Sequence, residues 1–159
     1  MSVFQDILKV LRNGLSVTAP VFTTDRQIIP GIVTGAAYAA GDAFGTTMVF
    51  NVPKVGTISN VIFIDKDDEG IDKELVLFSR PFVETADNSA FAPSDADLSY
   101  SLGVVSIDTF YNFTSNQIGE ATPAKSYVAP QGRIWCQMVT RGADNITADN
   151  IPELFFVVL

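Results

Sequence analysis

Between Ala36 and Asp108, apolar and polar residues alternate in short runs separated by Gly, Pro, Asn and Asp. Alternation marks a half-buried strand, and those four residue types turn the backbone. The pattern predicts strands at Thr46–Asn51, Thr57–Ile64, Glu74–Ser79 and Gly103–Ile107. In the second of these, Ile58, Asn60, Ile62 and Ile64 share the more apolar face and are expected in the core. Thr57, Ser59, Val61 and Phe63 lie opposite. In the third, Leu75 and Leu77 share one apolar face and Val76 and Phe78 the other, so this strand is expected to be central or covered by another element. An acidic turn, Asp65–Asp72 (DKDDEGID), joins the two strands. Ser79–Ala92 is a long excursion, after which Ser94-Asp95-Ala96-Asp97 predicts a single capped helical turn running through Leu98.

Further strands are expected at Thr109–Ser115, at Lys125–Ala129 after a Gly119–Pro123 turn, and at Arg133–Thr140. In the last, Ile134, Cys136 and Met138 alternate with Trp135, Gln137 and Val139. Gly142–Asn150 is a polar loop, and Glu153–Leu159 (ELFFVVL) is a closing strand. A strand so apolar would aggregate if exposed, so it is expected to be central or covered by another chain. Leu15–Thr24 is rich in β-formers, but Pro20 gives it an edge position or a bend. Pro30–Gly31 marks a turn or a bulge, and the short alanine-rich Ala36–Asp42 reads as a tight approach to the next strand.

Met1–Gly14 has a different period. Val3, Phe4, Ile7, Leu8 and Leu11 share one face at helical spacing, Ser2 stands where a cap belongs, and Gly14 is a stop. So short a helix needs something to pack on: either the sheet of its own domain or a neighbouring chain. The organisation expected is therefore an amphipathic helix or arm over 1–14 and a β-domain over 15–159. About nine strand candidates with closely spaced turns predict an all-β fold, an antiparallel β-sandwich or jelly-roll-like single domain. No glycine-rich phosphate loop follows a strand into a helix, which argues against a nucleotide-binding α/β fold.

Composition narrows the function. The 159 residues are 47% hydrophobic and 18% charged, a folded chain on the apolar side of ordinary. Formal net charge is −8, which argues against free nucleic acid or an anionic membrane surface as partner. Histidine is absent, and with it the usual acid/base at neutral pH. Cys136 is the only cysteine, so it makes no internal disulfide, and it lies in the apolar run IWCQMV as a buried strand residue. The beginning of the chain lacks the pattern of a secretory signal, and no apolar run is long enough to span a bilayer. Synthesis in the cytoplasm is the expectation.

Few residues are candidates for chemistry. Asp65, Asp67 and Glu69 alternate ahead of Gly70, like the start of an EF-hand calcium loop. Position twelve would be Val76 where that loop needs a bidentate Glu, and the flanks are strands, so a hairpin turn is the better reading. Asp95 and Asp97 resemble a carboxylate pair, but residues this close in a turn more often bond nearby backbone N–H groups. Tyr38, Tyr100, Phe110, Tyr111, Phe113 and Tyr127 could stack on sugars or bases; without a basic groove, packing is the default. The serines have no histidine base, and G-x-S-x-G does not occur. The sequence nominates no catalytic, cofactor-binding or metal residue, no cofactor and no small-molecule substrate.

The series AYAAGDAFGTTMVFNVP, GTISNVIFIDKD, KELVLFSRPF and FAPSDADLSYSLGVVSI resembles a family of small structural proteins of tailed bacteriophages. Its members are commonly encoded near the major capsid protein, and some are head-decoration or cement proteins. The resemblance runs over about Tyr38–Gly142. It rests on Ala40-Gly41-Asp42, the Thr57–Asp65 strand, Leu75–Pro81, Ser94-Asp95-Ala96-Asp97 followed by Gly103-Val104-Val105, and the Trp-bearing Arg133–Gly142 segment. Order and spacing carry it, because each motif alone is a plain strand or turn. The resemblance implies a non-enzymatic virion protein on the outer capsid surface, made in a bacterial host. It would bind the major capsid protein between capsomers and assemble as a homo-oligomer, a trimer suiting threefold positions. The N-terminal helix, the Ser79–Ala92 excursion and the closing strand are the expected contact elements. Two other readings fit the same pattern: a tail, baseplate or head-fibre-base component, and a carbohydrate-binding β-sandwich module. The latter would need Tyr38, Tyr100, Tyr111 and Trp135 exposed on one platform.

Overall fold

The computed structural model describes residues 20–159, and the helix expected over Met1–Gly14 lies outside them. The described chain is all-β, with two antiparallel sheets facing each other as a β-sandwich. The strands are β1 (Phe22–Thr23), β2 (Gln27–Ile28), β3 (Ala43–Asn51), β4 (Val55–Asp65), β5 (Lys73–Phe78), β6 (Ser101–Ile107), β7 (Thr109–Phe113), β8 (Asn116–Ala121), β9 (Lys125–Val128), β10 (Arg133–Thr140) and β11 (Glu153–Val158). A single helical turn, α1 (Asp95–Leu98), precedes β6. The larger sheet has the order β1-β11-β4-β8-β7, with β2 also on β11 and β9 also on β4; the smaller has the order β3-β10-β5-β6.

The core lies between the sheets. Phe44, Met48 and Phe50 of β3, Leu75 and Leu77 of β5, and Ile134, Cys136 and Met138 of β10 meet Ile58, Val61 and Phe63 of β4 and Leu154, Phe156 and Val158 of β11. Phe50 and Phe156 meet across the layers with ring centroids 4.3 Å apart. Of the two places expected for the closing strand β11, central or covered by another chain, the structure shows the first: β4 flanks it on one side, and β1 and β2 cover the other edge.

A second, smaller apolar cluster lies on the outer face of the small sheet. Val76, Phe78, Trp135 and Val139 are buried there, and Phe82 and Phe91 of the excursion pack on them. Phe82 stacks on Phe78 at 4.2 Å. This explains why both faces of β5 are apolar: the strand is central, and a loop covers its outer side.

Two expectations are corrected. The core face of β4 changes phase along the strand. Ile58 points inward, but so do Val61, Phe63 and Asp65, while Asn60, Ile62 and Ile64 point outward. The cause is a bulge at Ser59: Val158 pairs with Ile58 and Val157 with Asn60, so one residue is skipped and the alternation inverts. The second correction is at Gly119–Pro123, where Gly119 is no turn residue. It lies inside β8, where an added Cβ would come within 2.8 Å of Ile107 Cγ2 and 2.9 Å of Phe110 Cε1. The glycine is there because the layers approach closely, not because the chain reverses.

Candidate functional site

The acidic turn between β4 and β5 is the most highly charged place in the described chain, and its residues do not act as a group. Asp65 ends β4 on the inward phase and is buried. Its carboxylate accepts hydrogen bonds from the N–H groups of Asp67 (2.9 Å) and Glu69 (3.0 Å) and from Gln117 Nε2 (2.6 Å). Asp67 turns the other way and accepts from Thr147 Oγ1 (2.9 Å), Asn150 Nδ2 (2.8 Å) and the Thr147 N–H, tying the turn to the loop before β11. Burial alone would raise the Asp67 carboxyl, but these donors outweigh it and hold the group below its ordinary 3.8. Glu69 is pushed the other way, above 4.5, by burial and by the nearby charges of Asp144, Asp67 and Asp65.

Lys73, the first residue of β5, lies beneath this turn. It shares the inward phase with Leu75 and Leu77 and is buried with Asp144, each side chain 1% exposed. Nζ donates to Asp144 Oδ1 (2.8 Å) and to the Ile71 carbonyl (2.6 Å), and it stands 5.0 Å from the Phe44 ring centroid. Thr140 Oγ1 donates to the other oxygen of Asp144. Burial depresses the ammonium below 10.5, against the opposing charges of Asp144, Asp65 and Glu69. An amine so depressed can be a nucleophile when substrate reaches it. This one is closed off by its own carboxylate and by aromatic rings, so the cluster locks loops and presents no reacting group. Among the described residues no set of three or more His, Cys, Asp or Glu side chains is placed to hold a metal ion.

The other nominated residues are dispersed. Asp95 and Asp97 stand in the first turn of α1, where Ser94 Oγ accepts from the Asp97 N–H (3.1 Å) and donates back to its carboxylate (2.7 Å). That reciprocal pairing is a capping arrangement. Tyr38, Tyr127 and Trp135 are buried, whereas Tyr100, Tyr111 and Phe113 are exposed. Tyr38 and Trp135 therefore join no exposed platform with Tyr100 and Tyr111. Arg80 stacks over Tyr100 at 4.5 Å. Burial raises the Cys136 thiol far above its ordinary range and leaves it unreactive.

Sequence reasoning missed a polar hub that fastens the excursion. Two extra residues bulge β3 between Phe44 and Met48, opposite Gln137. Gln137, fully buried, fills the gap: Nε2 donates to the Gly45 carbonyl (2.9 Å) and the Thr85 carbonyl (2.6 Å), and Oε1 accepts from the Thr85 N–H (3.0 Å). Asp87 accepts from Tyr38 Oη (2.8 Å), the Val33 N–H (2.7 Å) and the Gly45 N–H. Gln137 had a legible signal, a polar residue between Trp135 and Val139 on an apolar face, and Lys73 had the same kind on the inward face. Asp87 had none, because its partners are far away in sequence.

The excursion, α1 and the turn that follows it present Val83, Leu98 and Tyr100 to solvent. Fold and surface together define a two-layer antiparallel β-domain whose excursion is fastened to the small sheet by buried polar contacts. Comparison with known protein families, curated proteins and solved structures finds no match to this chain.

Proposed function

We propose that the chain is a non-enzymatic head-decoration, or cement, protein of a tailed bacteriophage. It binds the major capsid protein between capsomers on the outer shell and resists internal pressure there. The observation that carries the reading is the order and spacing of the strand and turn motifs across Tyr38–Gly142, which resemble that family. The surface chemistry supports it. A net charge of −8 suits basic patches on a shell exterior and opposes contact with packaged DNA. The exposed Val83, Leu98 and Tyr100 supply apolar contact on loops that are pinned at their bases. Pinned loops lose little conformational freedom on docking.

The reading extends to architecture and assembly. The chain alternates between the two sheets at β3-β4-β5 and again at β9-β10-β11, which supports a jelly-roll-like sandwich. A homotrimer repeats one modest contact around a threefold axis and multiplies its effect.

Cryo-electron microscopy of phage particles purified from cells that produce this chain tests the function. The expected result is density for the sandwich at threefold or quasi-threefold positions, bridging capsomers on the outer surface. Density confined to the tail or baseplate would replace the cement role with the other virion role. Absence from the particle would overturn both.

A further inference from the structure

A strand at the edge of a sheet turns unpaired N–H and C=O groups outward and invites pairing with another chain. Most edges of this sandwich are closed. β1 and β2 are two residues long. Loops bond along β3: the N–H of Ala43 donates to the Ser89 carbonyl (2.8 Å), that of Thr46 to the Pro30 carbonyl (2.7 Å) and that of Thr47 to Glu84 Oε2 (2.9 Å). β6 is kinked, because its register with β5 shifts between Leu77 and Phe78 and Gly103 has φ of +97°. β9 opens on Lys125, a charge that deters pairing.

β7 has none of these devices. It comes last in the large sheet, and among the described residues no backbone group bonds to its outer edge. Its ladder with β8 is regular from Thr109↔Glu120 to Phe113↔Asn116. From Thr109 to Gly119 there is no proline and no charged residue, in a chain of net charge −8. Tyr111 and Phe113 are 55% and 54% exposed. The two-residue turn Thr114–Ser115 makes Phe113 and Asn116 a hydrogen-bonded pair. Alternation along the ladder then turns the backbone groups of Phe110 and Asn112 outward, away from β8.

We propose that β7 pairs antiparallel with β7 of a second copy, about a two-fold axis through Tyr111. In that register Phe110 of each copy exchanges backbone hydrogen bonds with Asn112 of the other, and the two Tyr111 side chains stand opposite each other. Two observations select a second copy. The strand is self-complementary, aromatic against aromatic on the face where Tyr111 continues the apolar row of Ile64 and Ile118. It is also neutral, so the overall like charge meets no like charge at the contact: Asp108 falls opposite Thr114. Five residues a side are few against the about 20–30 of a stable interface, so the pair forms where copies are crowded and leaves the dilute assembly unchanged. The contact does not depend on shell binding. Within the assembly proposed above it links copies from neighbouring trimers.

Disulfide trapping in the full-length chain tests it, and the buried Cys136 contributes no competing thiol. Tyr111→Cys at high protein concentration is expected to give a covalent dimer at many-fold less oxidised glutathione than Val104→Cys, a comparably exposed position on the kinked β6. Equal oxidant demand would mean random collision and overturns the proposal. Adding Asn112→Pro, which removes an outward N–H, should abolish the Tyr111→Cys dimer; a dimer that persists overturns it. Hydrogen exchange of the unsubstituted protein is a measurement that no folding defect can compromise. The amides of Phe110 and Asn112 should exchange many-fold more slowly as protein concentration rises. Rates independent of concentration overturn the pairing, and slowing that requires added shells overturns it in favour of a capsid-protein strand on this edge.

Discussion

The most demanding side chain among the described residues is Lys73, a buried ammonium whose one ion-pair partner there is Asp144. Removing one member of such a pair strands the other, at a cost of about 3–5 kcal/mol. Asp144→Ala should therefore lower the denaturant midpoint sharply. Lys73→Met together with Asp144→Leu should be much less damaging, because no unpaired charge is left. Urea titrations of the two variants check the order. The carboxylates also predict the response to acid. Asp67 and Glu153 have folded values held below 3.8 and 4.5. The stability they supply is present above their unfolded values and is lost as pH falls through the folded ones. Glu69 has the opposite sign: its value is raised, so its contribution is present below 4.5 and is lost as pH rises through the folded value. Glu69→Gln should raise the melting temperature near neutrality and steepen its fall in acid, which thermal unfolding at a series of pH values would show. A rise that persists unchanged into acid would refute this assignment.

At the scale of elements, the excursion from Ser79 to Ala92 behaves as a lid on the small sheet. Phe82 and Phe91 supply its apolar side, and Gln137 and Asp87 fasten its backbone. Phe82→Ala should remove one stacked pair, worth about 0.5–1.5 kcal/mol beyond its buried area. The larger consequence is local opening: hydrogen exchange and proteolysis over residues 80–93 should rise well before global stability falls. The β3 bulge should be far less forgiving. Gly45 has φ of +76°, and an added Cβ would collide with Ile29 Cγ2 and approach the Pro30 carbonyl at 2.7 Å. Backbone strain and overpacking act together there, so Gly45→Ala should cost more than about 2 kcal/mol. Calorimetry checks the value, and a neutral result would show that the bulge relaxes. These two elements differed in how well they could be read beforehand. The strand pattern located β10 to the residue, Arg133–Thr140, because alternation and flanking glycines are local signals. The Ser59 bulge gave no such signal, since it is defined by which residue of β11 lies opposite.

For the whole molecule, the net charge is −8, and its association with a basic shell surface would be steered by charge. The proposed function predicts that binding to isolated shells weakens as ionic strength rises, because screening shortens the reach of exposed charges to about 8 Å at 0.15 M salt. Co-sedimentation with shells over a salt series measures it. Binding insensitive to salt would mean that apolar contact by Val83, Leu98 and Tyr100 dominates. The proposed trimer predicts a solution mass three times the 17.2 kDa of one chain, which light scattering reads directly.

By itself the sequence determined the all-β class, the strand positions from β3 to β6, the capped turn at Ser94 and that the strand Glu153–Val158 must be covered; the structure decided that its cover comes from its own sheet. Each follows from periodicity, turn chemistry or the cost of exposing an apolar strand, and all of these act over a few residues. Only the tertiary structure decided which face of β4 enters the core, why Gly119 is a glycine, and that Lys73 meets Asp144. Those outcomes depend on pairing between residues distant in the chain, where a one-residue bulge inverts a face and a buried charge finds its partner across 71 positions.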